Sequence, residues 1–235
     1  MRKEFLDACE ANDLDRMKSQ KIPNIDIINE ALIDACCYGY IEIAEYLYNI
    51  GADISQGSYS AFVVACRFDN FEIAEWLYEL GSEIEHSAFS EVCYAGNMYI
   101  AKWLYELDAN ILDSKSFIDA CSGGHLHIVQ WLYSLDPTII SSDALIRACL
   151  SSNIDLVKWL IDIHYKHEQH IYFYDYSRFL LEIKELLIEA NLVHPRQLNN
   201  ADLEHYLECT DGLVPADFNH PNTRKRGQRT KPAPK

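Results

Sequence analysis

The feature that most constrains this 235-residue sequence is a cysteine that returns at an almost constant interval. Successive members of the series are 27, 30, 27, 28 and 28 residues apart, and they are Cys9, Cys36, Cys66, Cys93, Cys121 and Cys149. A fixed period between about 20 and 50 residues is typical of repeat proteins, in which each unit packs only on its neighbours. The sequence therefore predicts an array of six similar units.

Within one unit the apolar residues follow the period of an α-helix twice. In the third unit, Phe62, Ala65 and Cys66 share one face of a first helix, and apolar residues between positions 73 and 80 share one face of a second. Glycine-containing turns, such as the one at Gly39, separate the two helices. One such hairpin cannot bury its own apolar face, so the units are expected to stack into a continuous core.

A longer motif accompanies the cysteine. It reads Ala-Cys-x-x-Gly-x-x-x-Ile-Ala-x-x-Leu-x-x-x-Gly-Ala-Asp and is complete from Ala35 to Asp53. This motif resembles the ankyrin repeat, and the resemblance covers about residues 4–163. The cysteine at the second small position and the Trp-Leu-Tyr of the second helix look most like the ankyrin arrays encoded by giant DNA viruses of amoebae. The resemblance implies an all-α solenoid, a protein-binding role and an involvement in host–virus interaction.

The sequence departs from the family in two places. The Thr-Pro-Leu-His that opens the first helix in the family is absent, and Ser60-Ala61-Phe62-Val63 stands there instead. The units are also shorter than the ~33 residues of an ordinary ankyrin repeat, which leaves no residues for its projecting β-hairpin finger. We therefore expect an all-α, ankyrin-type solenoid of short helix-turn-helix repeats with little or no β-hairpin finger.

The two ends of the array differ from its middle. The first unit is rich in charged residues, as expected for the cap of a repeat array. Beyond residue 163 the repeat register is lost while helical spacing persists, and the last residues are polar, basic and rich in proline. The expected organisation is six repeats in 1–163, the first acting as an N-terminal cap, a helical C-terminal cap or degenerate repeat in 164–215, and a disordered basic tail in 216–235.

The cysteines and histidines do not form a pattern that indicates a metal site or catalysis. Cysteines one repeat apart line up along a solenoid instead of converging on one ion, and no CxxC pair is present. His164, His167 and His170 are three residues apart, so on a helix the outer two diverge by about 120°. No phosphate-binding or nucleophile motif is present either. We therefore predict no enzymatic activity, no catalytic residues, no cofactor and no metal.

Candidate binding residues follow the small Ala-Cys pair of each unit. In the ankyrin family the two positions after this pair lie on the concave surface and vary with the partner. Aromatic residues and arginine, which are enriched at binding hot spots, occupy these positions in the middle units. The predicted protein-binding residues are Tyr38, Arg67, Phe68 and Tyr94. The tryptophan and tyrosine series of the second helices is interpreted as packing and not as a ligand site.

Charge is distributed unevenly along the chain. Residues 1–221 carry 14 basic and 36 acidic side chains, a net charge of −22, which disfavours binding of the folded part to nucleic acid. The tail from residue 222 carries six basic side chains and no acidic one: Arg224, Lys225, Arg226, Arg229, Lys231 and Lys235. It indicates a nuclear-import signal or a tether for nucleic acid, with Arg224, Lys225, Arg226, Arg229 and Lys231 as candidate residues.

Three functions remain open from the sequence. The first is an adaptor, scaffold or decoy that binds a protein partner of unknown identity through the concave face. The second is a nucleic-acid-associated or nuclear protein tethered by its basic tail, and the third is a substrate adaptor of a ubiquitin ligase that docks through residues 165–215. Without a signal peptide or an apolar stretch of about 20 residues, the chain is expected to be intracellular, in the host cytoplasm or nucleus, with no membrane partner. It is also expected to be a monomer.

Overall fold

The computed structural model describes residues 2–55, 60–163 and 179–193, together with residues 198, 202, 205, 209, 213–214 and 229–230. The chain divides into two compact units, Met1–Ile140 and Ser141–Lys235. The three-histidine segment 164–170, most of the proposed cap and nearly all of the basic tail lie outside the described residues. In the part of the chain that is described, no helix has the length and apolar character needed to cross a membrane.

The first unit contains five consecutive helical hairpins. Their helices, in chain order, are α1 (Arg2–Glu10) and α2 (Leu14–Lys18), α3 (Ile25–Tyr38) and α4 (Ile41–Asn49), α5 (Ala61–Arg67) and α6 (Phe71–Glu79), α7 (His86–Ala95) and α8 (Met98–Leu107), and α9 (Ser114–Gly123) and α10 (Leu126–Leu135). The first helices pack in succession, α1 on α3, α3 on α5, α5 on α7 and α7 on α9. The repeat arrangement predicted from the cysteine spacing is therefore confirmed in this unit.

The core of the first unit lies between these first helices and their partners. A large apolar residue four positions before each cysteine is completely buried, namely Phe5, Leu32, Phe62, Phe89 and Phe117. The second helices contribute an equally regular set. Ile43, Ala44 and Leu47 of α4 are matched in α6, α8 and α10 by buried residues of similar size. The first-helix position is buried in all five repeats and the second-helix positions in the last four, which is the packing expected when each hairpin covers the apolar face of the next.

The turn inside each hairpin depends on one residue in the left-handed region of backbone space. Three residues after the cysteine, φ is positive in every hairpin of this unit: Asn12 (54°), Gly39 (80°), Asp69 (64°), Gly96 (92°) and Gly124 (75°). Glycine adopts this conformation without steric cost, and Asn and Asp tolerate it better than other residues. The chain can therefore reverse tightly and start the second helix after only one more residue.

Short 3₁₀ turns take the place of a β-hairpin finger after two of the hairpins. Ala109–Ile111 follows α8 and Pro137–Ile139 follows α10, and each turn is capped by the side chain of the preceding aspartate, Asp108 or Asp136. Each turn also buries one isoleucine, Ile111 or Ile139. Within the described residues of the first unit there is no β-strand, so the prediction of an all-helical array without fingers is confirmed there.

The second unit begins with the sixth hairpin, formed by α11 (Ser142–Ser151) and α12 (Ile154–Ile163). A further helix, α13 (Leu181–Glu189), packs on α12 and buries Ile183, Leu187 and Ile188. Two strands of two residues each, β1 (Leu213–Val214) and β2 (Arg229–Thr230), pair in parallel. The described residues include too little of 164–215 and 216–235 to test the predicted helical cap and disordered tail, which stay predictions.

Candidate protein-binding face

A polar side chain at the start of α6 and another at the start of α8 bond back to the preceding repeat. Asn70 donates through Nδ2 to the carbonyl oxygens of Cys36 (2.8 Å) and Cys37 (2.9 Å). Asn97, one repeat further, donates to the carbonyl oxygens of Cys66 (3.3 Å) and Arg67 (2.9 Å). The last carbonyls of an α-helix have no partner within the helix. These bonds therefore satisfy the C-terminal ends of the first helices and hold neighbouring repeats in register.

His125 makes the equivalent contact between the fourth and fifth repeats. Its Nε2 lies 3.0 Å from the carbonyl oxygen of Tyr94. Burial is the main reason that the pKa of His125 is lowered, and the neighbouring His127 acts in the same direction, although the bond to Tyr94 partly offsets them. The ring is therefore neutral at pH 7 and donates from Nε2. His125 therefore joins the fifth repeat to the fourth through this contact.

Glycine is required where these bridging side chains pass closest to the previous turn. A Cβ atom on Gly96 would lie 2.6 Å from Cε1 of His125, and one on Gly39 would lie 2.6 Å from Oδ1 of Asn70. At both distances the added Cβ atom would overlap the neighbouring side chain, so that side chain or the backbone would have to move. The glycine of one repeat and the bridging residue of the next therefore form a single packing unit, which places the C-terminal ends of the first helices at fixed positions.

The aromatic residues of the second helices form a ladder between repeats. Each tyrosine at one position packs edge-on against the tryptophan of the following repeat, with the same centroid distance of 5.8 Å for Tyr48–Trp76, Tyr78–Trp103 and Tyr105–Trp131. Edge-to-face geometry at this separation is favourable for aromatic pairs. The interpretation of this series as packing is confirmed.

The six repeating cysteines are core thiols. All of them are buried, with no more than 1% of any residue exposed, and all are free. Burial raises the pKa of the Cys9 thiol to about 12, aided by the nearby Asp34 and Glu10 carboxylates, and raises that of Cys121 to about 12 as well. Neutral, buried thiols are poor nucleophiles and poor metal ligands, because both roles need the thiolate. Among the described residues no group of three or more His, Cys, Asp or Glu side chains could hold a metal ion.

The four predicted binding residues lie at the C-terminal ends of α3, α5 and α7, and we call this surface the first-helix face. Tyr38 is 53% exposed, Phe68 is 50% exposed and Tyr94 is 45% exposed. The Arg67 side chain is 35% exposed. Because α3, α5 and α7 pack side by side, equivalent residues of the three repeats recur at roughly the 8–10 Å separation of packed helices. The structure thus brings the four residues onto adjacent helices of one unit.

Glu91 belongs to the same face, although the sequence interpretation did not include it. Nη1 of Arg67 lies 3.1 Å from Oε2 of Glu91, which joins α5 to α7. The guanidinium carbon of Arg67 also lies 5.7 Å from the ring centroid of Phe68, within cation–π range. Glu91 stands two residues before its cysteine, and the sequence alone does not place it opposite Arg67, because that requires the register between α5 and α7.

The carboxylates of Asp34 and Glu10 are near enough to Tyr38 to affect its pKa. Burial raises the pKa of Asp34, and the nearby Glu30 and Glu10 carboxylates raise it further. The pKa of Tyr38 is raised chiefly by Glu10, with burial and Asp34 as smaller causes. Tyr38 also stacks on Tyr40, with ring centroids 5.6 Å apart. This end of the first-helix face therefore combines an exposed aromatic side chain with closely spaced negative charge.

Comparisons with known proteins agree with the helical-repeat fold. Residues 5–88 match the family described as ankyrin repeats, in three copies. The crystal structure of the human ASB11 ankyrin repeat domain is similar, with a TM-score of 0.56 and 18% sequence identity over 87% of this chain and 96% of that chain. No curated protein matches the sequence. Neither comparison bears on the resemblance to viral arrays. Residues 5–88 are thus ankyrin repeats, and the chain has the ankyrin-repeat fold.

Proposed function

We propose that this chain is a non-catalytic adaptor, scaffold or decoy that binds a protein partner through the first-helix face. Ankyrin repeats are generally protein–protein interaction modules and are typically non-catalytic. The observation that carries the proposal is the exposure of Tyr38, Phe68 and Tyr94 on adjacent helices whose other aromatic residues pack inside the array. Exposed aromatic side chains bury a large area on binding at little entropic cost, and they are enriched at interaction hot spots.

The rigidity of the surrounding backbone supports the proposal. Asn70, Asn97 and His125 tie the helix ends that carry the face to the next repeat. Side chains held on packed helices lose little conformational freedom when a partner binds, which favours affinity. Glu91 and Phe68 hold Arg67 in the same way, so its guanidinium is already oriented. We also propose an intracellular location, which is supported by the free thiols of the six repeating cysteines.

The test starts with affinity purification of the chain from cells of its natural source and identification of partners by mass spectrometry. The variant in which Tyr38, Arg67, Phe68 and Tyr94 are all replaced by Ala should lose the partner while its melting temperature changes little. A control variant replaces three exposed residues of α8, Tyr99, Lys102 and Leu107, by Ala and should keep the partner. Equal partner recovery with the two variants would show that the first-helix face is not the binding surface.

A further inference from the structure

Charged side chains are distributed differently on the first and second helices of the middle repeats. The chain as a whole has a net charge of −16. Helices α4 and α6 contain no basic residue and carry five exposed glutamates, namely Glu42, Glu45, Glu72, Glu75 and Glu79. Helices α5, α7 and α9 together carry two Lys or Arg and two Asp or Glu residues, so their net charge is zero when histidine is neutral. These three helices are therefore a charge-balanced part of an acidic protein.

The four charges of α5, α7 and α9 neutralise one another in pairs. Nη1 of Arg67 lies 3.1 Å from Oε2 of Glu91, and Nζ of Lys115 lies 2.9 Å from Oδ2 of Asp119. The two acidic side chains are only 25% and 27% exposed, so both ion pairs are partly shielded from water. A charged group of a partner would have to separate one of these pairs or lose its own hydration without gaining an opposite charge. An uncharged group has neither cost.

The exposed aromatic rings of the first-helix face lie on these balanced helices. Phe68 follows α5 directly, and Tyr94 is near the end of α7, which packs on α5. The position two before the cysteine adds no carboxylate on α5, because it is occupied by the buried Val64. An exposed carboxylate, Asp69, stands in the turn beyond Phe68. Aromatic rings without unpaired charge at the centre, and polar groups at the edge, are typical of protein interfaces.

Helix α9 leaves the ring of Tyr94 accessible from its other side. Ser122 and Gly123 stand where α5 has Arg67 and Phe68, so α9 presents no large side chain at these positions. A Cβ atom on Gly123 would overlap the carbonyl oxygen of Tyr94, which shows that α9 approaches α7 closely at this point. A side chain of a partner can therefore pack on Tyr94 without displacing a large residue of α9.

We infer that the protein partner contacts Phe68 and Tyr94 through an uncharged segment whose anchor is an aromatic side chain, and not through a basic or acidic segment. The charge balance of α5, α7 and α9 is complementary to such a segment, although the rest of the chain is strongly acidic. The ion pair of Arg67 with Glu91 keeps charged groups of other proteins from binding there. This inference rests on the proposed function, because it assigns a chemical class to the partner of that same face.

The test titrates three small probes into the full chain labelled with nitrogen-15 and follows the backbone amide signals by NMR. The probes are p-cresol, butylguanidinium and butyrate, which represent an aromatic, a basic and an acidic side chain. Saturable shifts of the Phe68 and Tyr94 signals are expected with p-cresol, at a Kd of about 1–20 mM for a ligand of this size. The two charged probes should shift these signals less than about one third as much at the same concentration.

Three variants locate the site and test the role of the ion pair. Phe68→Ala combined with Tyr94→Ala should weaken binding of p-cresol about fivefold or more. Tyr99→Ala removes an aromatic ring that is 65% exposed on α8 and should change it less than about twofold. Glu91→Gln leaves Arg67 without its carboxylate, so butyrate should now shift the Arg67 signal, which it does not shift in the natural chain.

The inference is overturned if a charged probe shifts Phe68 and Tyr94 as strongly as p-cresol, or if the aromatic variants on the two faces weaken p-cresol equally. A missing response to butyrate in the Glu91→Gln variant would also contradict it, because the ion pair would then not be what excludes charge. If p-cresol does not bind at Phe68 and Tyr94 but the four-alanine variant still loses its protein partner, the inference is wrong and the proposed function stands. If p-cresol binds there and that variant keeps its partner, both are wrong.

Discussion

At the scale of single residues, the position four after the cysteine joins neighbouring repeats in the second to fifth repeats. Tyr40, Asn70, Asn97 and His125 occupy it, and each side chain bonds to a backbone carbonyl at the end of the previous first helix. The sequence pattern showed the glycine of the turn but not the role of the residue after it. Tyr, Asn and His do not form a recognisable sequence pattern. What they share is a hydrogen-bond donor that reaches a carbonyl of the previous repeat, and this is seen only when the repeats are stacked.

Replacing Asn70 by Ala should destabilise the protein by about 1–3 kcal/mol, because the carbonyls of Cys36 and Cys37 lose their donor at a partly buried site. The free energy of unfolding, measured by urea denaturation, tests this. Asn49→Ala, on the exposed end of α4, is the matched control and should change stability by less than about 0.5 kcal/mol. Equal effects of the two substitutions would contradict the bridging role of Asn70.

The bridge at His125 should make stability depend on pH. Burial lowers the pKa of this histidine in the folded protein, so the unfolded chain binds a proton more readily. Stability from this site is therefore complete above the unfolded pKa of about 6.5 and is lost as the pH falls below it. Asn occupies the same position in three other repeats, as Asn70, Asn97 and Asn153, so His125→Asn preserves a donor without the titration. Thermal melts at pH values of about 7.5 and about 5.5 should show a smaller loss of melting temperature for the variant than for the natural chain. An identical loss in both would show that His125 does not contribute.

At the scale of secondary-structure elements, much of the hairpin could be predicted from the sequence and the connections could not. The cysteine period and residues such as Phe62 and Phe89 define helical faces that only stacking can bury. The 3₁₀ turns at Ala109–Ile111 and Pro137–Ile139 were not predicted, because they depend on an aspartate cap that resembles an ordinary loop in sequence. The ion pair of Arg67 with Glu91 joins residues 24 positions apart and required the register between α5 and α7.

Packing between the second helices should appear as coupling between tyrosine and tryptophan. Tyr78 and Trp103 meet edge to face at 5.8 Å, so a double-mutant cycle with Tyr78→Leu and Trp103→Leu should give a coupling energy of about 0.5–1.5 kcal/mol. A second cycle with Tyr78→Leu and Trp131→Leu joins residues from non-adjacent hairpins and should give a value near zero. Urea unfolding measures both cycles. Similar coupling in the two cycles would argue against direct contact as its cause.

At the scale of the whole molecule, burial of the repeated thiols gives a simple measure of the folded state. Six of the eight cysteines are buried, while Cys37 is half-buried and Cys209 is exposed. An aromatic disulfide reagent should therefore label at most two thiols quickly in the native protein, and the other six only as fast as the repeats open. Removing Cys37 with Cys37→Ser should lower the rapid phase by one thiol. Rapid labelling of more than two thiols would show that the core is not closed as the structure describes it.

The most direct measurement of the binding surface is hydrogen–deuterium exchange of the full chain with and without its purified protein partner. Partner binding should slow exchange in peptides that contain the ends of α3, α5 and α7, around Tyr38, Phe68 and Tyr94. Peptides from α4, α6 and α8 should exchange at the same rate with and without the partner. Protection confined to the second helices or to the second unit, with none at the first-helix face, would contradict the proposed binding site.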